Sequence, residues 1–169
     1  MANTFELIAS STVGSGGAAS IDFTSIPSTY TDLVLKVSLR GQYADNWMDC
    51  YLRFNGSSSS YSDRVLYGTG SSAASLSESA SGINLRVEGS TPTANTFASI
   101  DAYIPNYLSS NYKSVSADVV TENNGTTAIA QLIAGLWSNT AAINQITLVP
   151  YSGNWVQYST AYLYGVSNA

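Results

Sequence analysis

The segment from Thr31 to Arg40 constrains the fold of this chain more than any other. Its apolar residues Leu33, Leu35, Val37 and Leu39 alternate with Val34, Lys36, Ser38 and Arg40. Successive side chains of a β-strand point to opposite faces of a sheet, so a strand with one buried face shows this period of two. We therefore expect a half-buried strand here, with the four apolar side chains in the core.

Strand-like segments recur along the chain, separated by clusters of Gly, Ser, Asn or Pro. The other segments are Phe5–Ser10, Ser20–Phe23, Met48–Phe54, Arg64–Thr69, Ile83–Glu88, Phe97–Ile104, Ser114–Glu122, Thr126–Trp137, Ile143–Val149 and Gln157–Val166. Many short strands at regular spacing are typical of a sandwich or barrel, and 169 residues suit one domain. We predict an all-β fold: one antiparallel β-sandwich domain, residues 1–169, that is jelly-roll-like.

The turns and loops follow from residue type. Asn55-Gly56 and Asn124-Gly125 are tight-turn dipeptides, since both residue types tolerate positive φ. We expect the second to close a hairpin between its flanking strands. The stretches 57–60 and 68–82 are rich in Ser, Ala and Gly, and they predict exposed, mobile loops.

An internal similarity also bears on the architecture. Gly56–Gly68 matches Gly153–Gly165 at several positions, and the same spacing places Leu35 on Leu132. Two halves with similar strand order would suit a jelly roll built from two Greek keys. Chance matches between segments of similar composition are the alternative.

Residue types limit the chemistry that this chain can perform. It contains no histidine and one cysteine, Cys50, so it lacks the commonest general base and the ligands of a structural zinc site. Carboxylates such as Asp45 and Asp49 leave a hydrolase or a calcium site open as alternatives, but the Asp-rich spacing of a dedicated calcium loop is missing. We predict no catalytic residue, no metal and no cofactor, and a buried Cys50.

Charge argues against two classes of partner. The net charge is −5, and the six basic residues are scattered, whereas nucleic acid and anionic membranes attract clustered Lys and Arg. We predict no nucleic-acid partner and no membrane partner. The first residues show no basic start or long apolar run, so we expect no signal peptide and synthesis in the cytoplasm.

Aromatic residues supply the candidate contact sites. The chain has 12 Tyr, 3 Trp and 4 Phe, residue types that favour interfaces and sugar platforms. Trp137 ends a long apolar segment and is expected in the core, whereas Trp155 follows Gly153 and Asn154 in an expected loop. The candidate contact residues are Trp155, Asn154, Trp47 and Asp45.

Several segments resemble small virion proteins of tailed bacteriophages. They are Leu7–Ser11, Ser20–Leu35, Phe54–Gly56, Trp137–Leu148 and Leu163–Val166. The resemblance implies a capsid decoration (cement) protein: a non-enzymatic homotrimer on the phage head that binds the major capsid protein and stabilises the assembled shell. The alternative is a tail-fibre or baseplate adhesion module that binds host-surface glycans. The segment 68–96 carries no such resemblance.

The alternation in Thr31–Arg40 yields a prediction about stability. Leu35→Ala should lower the free energy of unfolding by about 2–5 kcal/mol, because it leaves a cavity in the core. Lys36→Ala, on the opposite face, should cost less than about 0.5 kcal/mol. Denaturant midpoints measure both, and equal effects would show that the faces are assigned wrongly.

Overall fold

The computed structural model describes residues 4–79, 81–125 and 127–167. Twelve strands lie in these ranges: β1 (Phe5–Thr12), β2 (Ile21–Phe23), β3 (Asp32–Leu39), β4 (Trp47–Phe54), β5 (Tyr61–Gly68), β6 (Ala73–Glu78), β7 (Ile83–Glu88), β8 (Ala98–Ile104), β9 (Lys113–Val120), β10 (Ala130–Trp137), β11 (Ile146–Pro150) and β12 (Thr160–Val166). Within the same ranges no helix is long and apolar enough to cross a membrane.

The strands form two antiparallel sheets, which confirms the predicted β-sandwich. The larger has the order β1-β12-β3-β8-β9-β10-β5-β6, and the smaller has the order β2-β11-β4-β7. Eight strands follow a jelly-roll order, four in each sheet: β1-β12-β3-β8 faces β2-β11-β4-β7. The chain crosses between these sheets at every step except from β4 to β7, which pair with each other.

Two hairpins are inserted into this jelly roll. β5 and β6 lie between β4 and β7 in the chain, and β9 and β10 lie between β8 and β11. The hairpins join through the pairing of β10 with β5, so they widen one sheet from four strands to eight. β9 and β10 form the predicted hairpin, but β9 ends at Val120 and β10 begins at Ala130, so Asn124-Gly125 lies in a longer connection and not in a tight turn between the strands. Asn55 and Gly56 both have positive φ, as their turn requires.

The low-complexity stretch 68–82 is where the loop prediction is wrong. Residues Ala73–Glu78 form β6 and pair with β5 over six positions. Ser and Ala give little apolar periodicity, and an edge strand is held mainly by its backbone, so the sequence carried no strand signal. Residues 57–60 do form a loop. Ala80 and Thr126, which fall in a predicted loop and a predicted strand, lie outside the described residues.

The internal similarity does not reflect equivalent strands. Leu35 lies in β3 of the jelly roll, whereas Leu132 lies in the inserted β10. The two matched tyrosines also differ, since Tyr61 is 3% exposed and Tyr158 is 67% exposed. The two segments therefore occupy different environments.

The core lies between the sheets. The four leucine and valine side chains predicted from β3 are buried, as are Cys50 and Trp137. Trp137 packs against Phe54 at a ring distance of 5.6 Å and stacks on Tyr61 at 6.1 Å. Burial raises the pKa of the Cys50 thiol, so this residue behaves as a small apolar side chain.

The free edge of β7 is closed by side chains of the larger sheet. The Asn84 N–H donates to Asp63 Oδ2 at 3.0 Å, and the Arg86 N–H donates to Gln131 Oε1 at 3.2 Å. Asp63 lies on β5 and Gln131 on β10, both in the inserted hairpins. Buried backbone donors need partners, so the hairpins complete the smaller sheet.

Closing this edge buries a carboxyl group. Asp63 is 2% exposed, and its Oδ1 has no hydrogen-bond partner within the described part of the chain. Burial raises the pKa of Asp63, and the nearby carboxylates of Glu78 and Asp49 raise it further, against the Asn84 hydrogen bond and Arg64. The folded state therefore holds a proton on Asp63 more tightly than the unfolded chain does.

Stability should depend on pH through Asp63. Because its pKa is raised on folding, its contribution is most favourable below the ordinary Asp pKa and is lost as the pH rises through the folded value. Asp63→Asn keeps an acceptor for the Asn84 N–H and removes the titration. The variant should therefore gain stability relative to wild type as the pH rises from about 3 to about 8. Urea unfolding across this range measures the difference, and a constant difference would contradict the assignment.

Candidate functional site

The outer face of the larger sheet is open to solvent. The smaller sheet packs on its other face, as the alternate burial of β9 shows: Val115, Ala117 and Val119 are buried, and Ser116 and Asp118 are exposed. Backbone register places one row of residues across five strands of the open face. From β3 to β5 the row is Lys36, Asp101, Asp118, Leu132 and Leu66.

A second row of residues lies beside the first and forms a groove. From β3 to β5 it runs Val34, Tyr103, Ser116, Ala134 and Arg64. The small side chains in the middle lie between the Tyr103 ring on β8 and the Arg64 side chain on β5. Three strand spacings separate β8 from β5, about 14 Å. Together the rows and β6 enclose a groove of about 840 Å³, within the range of ligand sites.

Tyr103 is held in place by a hydrogen bond. Its hydroxyl donates to Asp32 Oδ2 at 2.8 Å, and the other Asp32 oxygen accepts the Asn106 N–H at 2.7 Å. The bond to the Asp32 carboxylate is the main reason that the pKa of Tyr103 is raised, and burial adds to it. The ring is 41% exposed, so it offers a fixed aromatic surface at one wall of the groove.

Charges in the groove are unevenly paired. Lys36 Nζ lies 2.6 Å and 2.8 Å from the two oxygens of Asp101. Asp118 stands directly opposite Asp101 on the neighbouring strand, and like charges in that position destabilise a sheet. Arg64 on the far wall donates to the Asp63 carbonyl at 2.9 Å. The groove thus presents carboxylates on one side and a guanidinium on the other.

Leucine side chains dominate the remaining surface. Leu66 is 54% exposed and Leu132 is 62% exposed, and they stand directly opposite each other on β5 and β10. Val120 and Tyr162 on the same face are also exposed. The arrangement is suited to binding.

The structure places Trp155 in the core, which corrects its interpretation as a contact residue on a loop. Its side chain is 0% exposed. The indole N–H donates to the Leu148 carbonyl at 3.1 Å, and the backbone bridges to Ala18 and Gly41. The preceding Gly153 and Asn154 indicated a loop, but the chain bends inward directly after them. No ring surface is left for a partner.

The other three sequence candidates lie at one end of the sandwich. Asn154 is half-buried and its carbonyl accepts the Gln42 N–H at 3.0 Å. Asp45 is exposed, and its Oδ1 accepts the Asn46 N–H at 2.7 Å. Trp47 is half-buried, 5.9 Å from the Arg86 guanidinium. Hydrogen bonds join the loops of this end, but none of these residues lines the groove.

The calcium and hydrolase alternatives drawn from the sequence rest on Asp45 and Asp49. Asp49 lies 3.6 Å from the Arg86 guanidinium, so a cation already neutralises it. Among the described residues no group of three or more His, Cys, Asp or Glu side chains is placed to hold a metal.

Sequence reasoning missed the groove for a physical reason. Its residues come from seven strands and meet only through sheet register, which the sequence does not state. Alternation in β5 could have placed Arg64 and Leu66 on one face. In β10, however, Leu132, Ile133 and Ala134 are all apolar, so hydropathy does not reveal which face is exposed.

Comparison with known proteins adds little. No family model and no curated protein matches this sequence. Among solved structures, the chain is similar to the galectin LEC-6 of Caenorhabditis elegans at 12% identity and a TM-score of 0.38, over 91% of this chain and 94% of that one. We draw no functional conclusion from a likeness at this level.

Burial of Trp155 predicts that its loss affects stability. Trp155→Ala should lower the free energy of unfolding by about 3–5 kcal/mol, because it leaves a large cavity and removes the indole hydrogen bond to the Leu148 carbonyl. Tyr112→Ala is the matched control, since this ring is 59% exposed, and it should cost less than about 0.5 kcal/mol. Thermal unfolding measures both, and a Trp155→Ala protein as stable as wild type would refute the core placement.

Proposed function

We propose that this chain is a non-enzymatic decoration protein of a tailed-phage virion, which binds the assembled head through the open face of its larger sheet. One observation carries the proposal: Leu66 and Leu132 are exposed directly opposite each other on that face, and the exposed Val120 lies diagonal to Leu132. Contiguous exposed apolar surface of this kind marks interaction sites on soluble proteins. The resemblance of several segments to small phage virion proteins supports the same assignment.

A capsid protein is the partner that this surface fits best. Leu66 and Leu132 adjoin each other and would be desolvated together against an apolar patch. A broad sheet face also offers the area that a specific protein interface needs. Jelly rolls serve in viral capsid and lectin domains, so the fold is compatible with this role.

Binding of this kind stabilises a shell by mass action. A protein that binds the assembled head and not the free subunits shifts the equilibrium toward the assembled state. The proposal therefore locates the protein on the virion surface, with the major capsid protein as its partner. A homotrimer on the head belongs to the same proposal.

A second candidate function is glycan binding by a tail adhesion module. The polar side chains of the groove favour glycan binding. The fixed Tyr103 ring lies near Asp101 and Asp118 and faces Arg64 across the groove. An aromatic ring can stack on a sugar face, while carboxylates and a guanidinium can bond its hydroxyls. This candidate replaces the loop residues first expected from the sequence.

Leu132→Asp tests the decoration proposal. The substitution places a charge in the middle of the apolar surface at an exposed position. Asp118 stands directly opposite on β9, so the new carboxylate costs some stability, and thermal unfolding should first show that the variant is folded. Attachment to purified heads lacking the protein should weaken about tenfold or more, which is about 1.4 kcal/mol, and heads should release their genome at lower temperature. Tyr158→Asp is the control, because this residue is 67% exposed and does not line the groove. It should bind like wild type.

Arg64→Ala separates the two functions. Under the decoration proposal, phage carrying this variant should adsorb to host cells at the wild-type rate. If adsorption falls about tenfold while heat-induced release is unchanged, a glycan contact accounts for the loss, since such hot spots are worth about 2 kcal/mol. That result, or wild-type attachment of Leu132→Asp, would overturn the decoration proposal.

A further inference from the structure

The four sheet edges are protected to different degrees. Side chains close β7, and β2 is three residues long. β1 carries a register irregularity between Leu7 and Ala9, and such bulges discourage edge pairing. β6 differs from all three, because its six residues pair with β5 without interruption. It also contains no Lys, Arg or Pro, and its one charged side chain, Glu78, accepts a hydrogen bond from the Asn84 amide at 2.7 Å.

The outer backbone of β6 is unpaired within the described chain. In an antiparallel ladder, alternate residues turn their N–H and C=O groups away from the neighbouring strand. No hydrogen bond from the described residues reaches these outer backbone groups of β6. Five of its six residues are Ala, Ser or Leu. The edge is therefore a ready template for another strand.

The side chains of β6 indicate which strand fits. Ser75 and Ser77 lie on the open face, where small side chains allow a close approach. Leu76 stands opposite the buried Val65, so it points to the inner face. It packs against the core but is only partly buried, which leaves apolar surface at the edge for a neighbour to cover.

We propose that β6 pairs antiparallel with β6 of a second copy of this chain, about a twofold axis through Leu76. Residues directly opposite each other must point to the same face, so even-numbered positions pair with even ones. Centring on Leu76 places Leu76 against its own copy and Ser75 against Ser77. The two leucines complete each other's burial, and the two eight-stranded sheets become continuous.

This contact does not rest on the proposed function. One pair of six-residue strands buries less than the roughly 1,200 Å² of a standard interface, so the dimer is expected to be weak in dilute solution. Where copies are held side by side on a larger assembly, their high effective concentration strengthens such a contact.

Disulfide trapping tests the register. Opposite residues of antiparallel strands have Cα atoms about 4.5–5.5 Å apart, within the range that a disulfide spans. Leu76→Cys should form a disulfide-linked dimer under mild oxidation about tenfold faster than Leu66→Cys, an exposed position on the neighbouring strand. The native Cys50 is buried and does not interfere.

A second pair of variants leaves Leu76 intact and guards against a folding effect. A mixture of Ser75→Cys and Ser77→Cys proteins should give mixed disulfide dimers. Ser75→Cys alone should not link, because its copy lies on the diagonal about 7–8 Å away. Equal rates for Leu76→Cys and Leu66→Cys would overturn the proposal. So would efficient linking of Leu76→Cys to Ser11→Cys, an inner-face position on β1 of another copy, which would show head-to-tail pairing instead.

Discussion

The need to partner the backbone at the edge of β7 shapes the rest of this structure. A sandwich strand with one free edge leaves N–H groups that water cannot reach once the other sheet covers them. Here Asp63 and Gln131 reach across the layer and accept from the Asn84 and Arg86 N–H groups. Both acceptors come from the inserted hairpins. The same hairpins therefore widen the larger sheet and cover the free edge of β7 in the smaller sheet. The consequence is a buried carboxyl group whose pKa is raised by desolvation.

The need for hydrogen-bond acceptors at the edge of β7 also explains the register of β10. This register is the opposite of the one that residue hydropathy favours. Gln131 is 4% exposed and Leu132 is 62% exposed, although leucine is the better core residue. A slip of one residue would bury Leu132, but it would remove the acceptor for Arg86 and turn Gly135 outward. An added Cβ at Gly135 would lie 2.8 Å from Ile83, so the glycine permits close packing at this inner position. Hydrogen bonding and shape together determine the face that β10 buries.

The competition between apolar burial, hydrogen bonding and shape determines which elements the sequence alone predicts. Alternation identified β3 and its buried leucines, because one face of that strand packs on a core and burial alone decides its pattern. Turn chemistry located the β9–β10 hairpin. β6 and the burial of Trp155 escaped prediction, since the first depends on pairing with β5 and the second on a loop that bends inward. The groove escaped for a related reason: its two rows exist only once register sets five strands side by side.

The requirements of folding alone do not explain the exposed apolar side chains on the open face. An exposed leucine on the outer side of a sheet gains little from its own fold, and a polar residue at Leu66 or Leu132 would leave the buried face unchanged. Likewise, a lysine in β6 would protect its edge at small cost to stability. The jelly-roll strands carry most of the core, whereas the inserted hairpins supply both of these unguarded surfaces. Apolar groups at those positions become favourable when another molecule covers them, because only a partner removes them from water.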